Sequence, residues 1–119
     1  MKTILLSILL TSSLTSYAAS ACLLEGSYSL QMQPYSHSVQ PAWLNGYIGR
    51  EYVNWHIMFA NFDGSYEISD NFGGNWVRLK IETDRHSLQM RLKGWIGRNY
   101  IDWPGNSGWF TGYTPCLPK

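Results

Sequence analysis

The stretch NWVRLKIETDRHSLQMRLKG, Asn75 to Gly94, constrains the fold more than any other part of the chain. Val77, Leu79 and Ile81 alternate with Arg78, Lys80 and Glu82; after a polar break, Leu88, Met90 and Leu92 alternate with Gln89, Arg91 and Lys93. A period of two on both sides of a turn specifies a β-hairpin with one apolar face, whereas a 3.6-residue period would scatter these apolar residues around a helix. A turn centred on Asp84 and Arg85 sets Val77 against Leu92, Leu79 against Met90 and Ile81 against Leu88. On the outer face it sets Arg78 against Arg91 and Trp76 against Lys93, a like-charge pair and a cation–π pair.

A second constraint is a repeat. Leu44, Gly46, Ile48, Gly49, Arg50, Tyr52 and Trp55 recur as Leu92, Gly94, Ile96, Gly97, Arg98, Tyr100 and Trp103, with Tyr47 matched by Trp95, Val53 by Ile101 and Asn54 by Asp102. Two copies suit a pseudo-twofold β structure better than a solenoid, which needs three or more units. Hairpins turning at Arg50-Glu51 and Arg98-Asn99 would place Gly46 opposite Trp55 and Gly94 opposite Trp103, so that an indole covers backbone lacking a side chain. Further strands are expected at Ser27 to Gln33, Ser65 to Ile68 and Trp109 to Tyr113, separated by the turn-rich NFDG, DNFGGN and PGNSG. The expected fold is all-β: a small antiparallel barrel or two-sheet sandwich of about eight short strands with an internal pseudo-twofold repeat, the barrel preferred.

The first residues carry one lysine, an apolar run from Ile4 to Leu10 and then small side chains, the layout of a signal peptide. Residues 1–21 are read as that peptide, with an alternative cut before Ala19, and 22–119 as a single β domain. Ala-Ser-Ala-Cys resembles a lipoprotein box, but Ala19 replaces its usual leucine. Pairing of Cys22 with Cys116, the only other cysteine, is preferred over lipidation, which would leave an odd thiol. Such a bridge closes nearly the whole domain into one loop, worth about 4–5 kcal/mol in the chain-entropy model. The expected location is exported, periplasmic or extracellular, with no transmembrane segment after the signal is removed.

Charge narrows the partners. Of nine Lys and Arg, Lys2 leaves with the signal, so eight basic residues face eight acidic ones and nucleic acid is not an expected partner. His37, His56 and His86 are the only histidines, none within ligand spacing of another, so neither metal nor cofactor is expected. No nucleophile elbow or phosphate-cradling loop occurs. Glu51, Glu67, Asp70 and Asp102 are the remaining catalytic option, read here as residues that solvate turns and outer faces.

Six tryptophans and eight tyrosines exceed what one small core readily holds. The outward positions that gather rings, amides and charge are Tyr47, Tyr52, Asn54, Trp76, Arg78, Arg91, Lys93, Trp95, Tyr100 and Asp102. Flat rings beside hydrogen-bonding groups suit sugars, which stack by their C–H faces, and cations suit an anionic polymer. The sequence therefore leads to an expectation of a non-enzymatic exported protein binding a glycan or anionic envelope component. The alternative is an inhibitor or immunity protein that inserts a loop, such as PYSHSVQPAW or DNFGGN, into a partner enzyme.

Overall fold

A computed structural model describes residues 21–33, 41–84 and 86–119. Apart from Ala21, the segment read as a signal peptide lies outside these residues, as does most of the PYSHSVQPAW loop. Eight strands run β1 (Cys22–Gln33), β2 (Trp43–Ile48), β3 (Glu51–Ala60), β4 (Tyr66–Phe72), β5 (Asn75–Thr83), β6 (Gln89–Ile96), β7 (Asn99–Asn106) and β8 (Trp109–Pro118). Each pairs antiparallel with the next, and β8 returns to β1, so the sheet closes into a barrel rather than a sandwich.

Eight strands enclose an interior just wide enough for side chains to fill. Leu30, Leu44, Ile48, Trp55, Val77, Ile81, Leu92, Ile96 and Phe110 are fully buried in one continuous core. Their neighbours along each strand point outward and are largely polar, the reverse of a barrel that faces lipid with its outer wall. No helix of the described residues is long and apolar enough to cross a membrane. Cys22 and Cys116 form a disulfide that pins the start of β1 to the end of β8, a bond that persists in oxidising surroundings.

The long hairpin keeps its apolar face inward but has a different register. Val77 lies opposite Ile96, Leu79 opposite Gly94 and Ile81 opposite Leu92, four residues from the pairing expected around Asp84-Arg85. The turn is wider because Asp84 closes it twice, donating its N–H to the Gln89 carbonyl at 2.8 Å and accepting from Leu88 N–H at 3.0 Å. Leu88 therefore sits exposed in the turn instead of against Ile81. A shift of four preserves which face each residue occupies, so inside and outside survive while every outer-face neighbour changes.

The repeat hairpins differ from expectation by two. They turn at Gly49-Arg50 and Gly97-Arg98, with φ of 61° and 60° at the glycines, as a turn opening on a left-handed residue requires. Gly46 then faces Val53, Gly94 faces Ile101, and Trp55 and Trp103 face Leu44 and Leu92. The indoles do not lie across Gly46 and Gly94. Those glycines answer a different demand: their φ values are 149° and 139°, and a β-carbon would strike the Ser29 carbonyl on β1 or the Arg78 carbonyl on β5. They let neighbouring strands press together where the sheet curls. The copies thus share a local register, which does not by itself establish the expected pseudo-twofold.

Closure is weakest between β7 and β8, which share the single ladder pair Asn106↔Trp109. In a two-residue hairpin the residues flanking the turn form the hydrogen-bonded pair, so Tyr100, Asp102 and Pro104 aim their main-chain groups at β8, and Thr111, Tyr113 and Pro115 aim theirs at β7. Continuing the register would oppose Pro104 with Thr111 and Tyr100 with Pro115. Neither proline has an N–H to give. Behind this seam Trp103 stacks on Tyr28 of β1, ring centroids 4.2 Å apart and 16° from parallel. The Tyr28 ring lies against Gly112 of β8, and Phe110 lies against Gly105 of β7. At the far end, Asn99 Nδ2 donates to the Pro118 carbonyl at 2.9 Å.

Gly94→Ala combines a forbidden φ with a backbone collision, so it should cost about 2–4 kcal/mol in denaturant unfolding, against about 0.5 kcal/mol or less for the outward Ser69→Ala. Equal midpoints for the two variants would show that the close approach at Gly94 is not needed.

Candidate functional site

The ten outward residues marked from the sequence fall on two separate walls. Tyr47, Tyr52 and Asn54 belong to β2 and β3; Trp76, Arg78, Arg91, Lys93, Trp95, Tyr100 and Asp102 belong to β5, β6 and β7. Strand β4 lies between the two groups on one side, β8 and β1 on the other, so the ten do not form one patch.

On the charged wall the registers make a lattice. Arg78, Trp95 and Tyr100 form one row across β5, β6 and β7; Lys80, Lys93 and Asp102 the next; Glu82, Arg91 and Pro104 the third. Arg91 therefore does not oppose Arg78, and Lys93 does not oppose Trp76. Ion pairs run diagonally between rows: Arg91 Nε to Asp102 Oδ1 at 2.8 Å, and Lys93 Nζ to Glu82 Oε1 at 2.6 Å. The cation over Trp76 is Arg78, with Cζ 5.5 Å from the ring centroid. The like-charge opposition is Lys80 against Lys93.

Among the described residues Arg78 and Lys80 form no ion pair. They and Lys93 border a shallow depression of about 320 Å³ on β4, β5 and β6, with Glu67, Ser69 and Gly94 completing its rim. Trp95 lies next to Gly94, half exposed and edge-to-face with Tyr100 at 5.4 Å. Farther along the same wall, a second groove of about 610 Å³ runs between Glu82, Asp84, Arg91 and Asn106. The placing of its cations follows from local sequence: period-two alternation points Arg78, Lys80 and Lys93 outward.

Glu67 and Lys80 are cross-strand partners that the sequence, with β4 ending near Ile68, left unmatched. Strand β4 instead runs to Phe72, and DNFGGN is strand joined by the two-residue turn Gly73-Gly74, so it is not a protruding loop. Of the acidic residues weighed for catalysis, Asp70 accepts main-chain N–H groups from His56 at 2.8 Å and Asn71 at 2.7 Å, and Asp102 is held by Arg91. Among the described residues, no three His, Cys, Asp or Glu gather as metal ligands.

The hydrogen bond from Arg91 lowers the Asp102 carboxyl below its ordinary 3.8, and the same contact raises the Arg91 guanidinium. Lys93 is raised by its hydrogen bond to Glu82. A carboxylate with a depressed folded value adds stability that is fully present above its unfolded value and is lost as pH falls through the folded one. Both partners are exposed, so the contribution is small. Carbon-detected NMR titration should give Asp102 a midpoint below 3.8 that rises towards 3.8 in Arg91→Gln. A midpoint unmoved by that substitution would rule out the diagonal pairing.

No family model, curated protein or solved structure matches the chain, so no relative lends its residues a role.

Proposed function

We propose that this is an exported, non-enzymatic binding protein whose charged wall engages an acidic glycan. The reading rests on one observation: three outward cations, Arg78, Lys80 and Lys93, edge a depression beside the half-exposed ring of Trp95. Lys93 is held by Glu82 on one side while Arg78 and Lys80 form no ion pair among the described residues, so a carboxylate or sulfate in the depression supplies the counter-charge these two lack. Trp95 supplies the flat surface on which the sugar ring stacks. Because the barrel interior is packed with side chains, a ligand of this size is met on the outer wall.

Of the two loops on which the inhibitor alternative rests, DNFGGN is a tight turn between strands, and PYSHSVQPAW lies mostly outside the described residues. A disulfide-closed domain fits oxidising, exported surroundings.

Oligogalacturonate is a suitable calorimetric probe. Binding should weaken about tenfold in each of Arg78→Ala, Lys80→Ala and Trp95→Ala, a loss of about 1.4 kcal/mol apiece. It should also weaken steeply as salt rises from 50 to about 500 mM, since exposed charges are screened. Binding indifferent to all three substitutions, or absent from the native protein, would remove the reading.

A further inference from the structure

The charge on this barrel is segregated. Asp, Glu, Lys and Arg are absent from residues 27–33, 43–48, 52–60 and 109–118, which are most of β1, β2, β3 and β8. These four strands are consecutive around the barrel, and their outward side chains make one uncharged wall facing away from the cationic depression.

That wall has an ordered content. Across β2 and β3, three cross-strand pairs succeed one another: Trp43 with His56, Asn45 with Asn54, and Tyr47 with Tyr52. Trp43 and His56 rings lie 4.7 Å apart, and Tyr47 meets Tyr52 edge-to-face at 5.3 Å. Between them Asn45 Nδ2 donates to Asn54 Oδ1 at 3.4 Å, which leaves most of the donors and acceptors of both amides free. Gln33, Gln31 and Ser29 of β1 lie opposite Trp43, Asn45 and Tyr47 and extend the polar floor. Trp43 is 40% exposed, Tyr47 58% and Tyr52 54%.

We infer that β2 and β3, with the adjoining edge of β1, form a second binding strip, for an uncharged oligosaccharide. Two aromatic stations four residues apart on β2, about 13 Å, hold two pyranose faces, and the amide pair between them meets hydroxyls. A sugar satisfies exposed amides and hydroxyls with groups that both donate and accept. An apolar protein surface would bury the same groups unpaired, at about 1–3 kcal/mol each. The absence of charge makes the strip indifferent to ionic strength, in contrast with the depression around Lys80. The inference takes from the proposed function only the class of ligand, and the two sites stand on different residues.

The test uses chitohexaose, an uncharged hexasaccharide, beside oligogalacturonate, with the full domain in its disulfide-bonded form. Chitohexaose should shift the NMR side-chain resonances of Trp43, Asn45 and Asn54 and leave those of Trp76 and Trp95 in place. Its affinity should fall about tenfold in Trp43→Ala and in Tyr47→Ala, hold within about twofold in Tyr47→Phe, which keeps the ring, and stay unchanged in Trp95→Ala and in high salt. Circular dichroism of each variant separates lost binding from lost folding. Failure of oligogalacturonate alone would count against the charged wall and leave this strip supported. The inference is overturned if chitohexaose does not bind, if it shifts the charged wall, or if sedimentation shows that a second copy of the chain covers Trp43 and Tyr47.

Discussion

Two prolines decide how this barrel closes. A sheet becomes a barrel only when its last strand pairs with its neighbour along the ladder, and Pro104 and Pro115 remove donors at positions where β7 and β8 would have exchanged them. The ladder stops after Asn106↔Trp109, and the remaining work passes to side chains. Trp103 reaches beneath β8 to stack on Tyr28, Gly112 and Gly105 make room for rings, and Asn99 ties the far end to Pro118. The long β1 and β8 ladder, locked by Cys22 and Cys116, keeps β8 in place when β7 does not.

The seam is also a boundary. On one side β4 to β7 carry Glu67, Asp70, Arg78, Lys80, Glu82, Arg91, Lys93 and Asp102; on the other, β8 and β1 to β3 carry no charged side chain across the spans given above. The two walls meet again at β3 and β4, where the register shifts between Ile57 and Phe59 and Asp70 takes the His56 N–H that a regular ladder would have bound. Both changes of chemistry thus fall where pairing is irregular. With the interior filled, the binding proposed for this protein falls to these outer walls. Their flatness suits extended ligands more than small molecules, which favour enclosed pockets.

Alternation made the faces legible. Every apolar residue placed inward from the Asn75 to Gly94 pattern is inward, except Leu88, which the Asp84 turn pulls out. Register was not legible, because shifts of two or four leave the pattern of faces intact and only turn chemistry selects among them. The consequence fell on the site: pairs such as Arg78 with Arg91 and Trp76 with Lys93 dissolved, and the diagonal pairs Arg91 with Asp102 and Lys93 with Glu82 replaced them. The idea of a ring over bare backbone applies at Gly105 and Gly112, not at Gly46 and Gly94. Two signals lay unused in the letters: Pro104 and Pro115 mark strand edges, and the uncharged runs at 27–33, 43–48, 52–60 and 109–118 mark the second wall.

The seam is tested most directly by amide hydrogen exchange along β7 and β8. Main-chain groups alternate in direction, so Phe110, Gly112 and Thr114 bond to β1, whereas Thr111 and Tyr113 face the seam. Thr111, Tyr113, Tyr100 and Asp102 should exchange at least about a hundredfold faster than Phe110, Gly112, Ile101 and Trp103, the gap expected when one set opens locally and the other only with deeper unfolding. Uniform protection along β7 and β8, with Thr111 and Tyr113 as slow as Phe110 and Gly112, would mean that the ladder is continuous and that the prolines do not set the closure of the barrel.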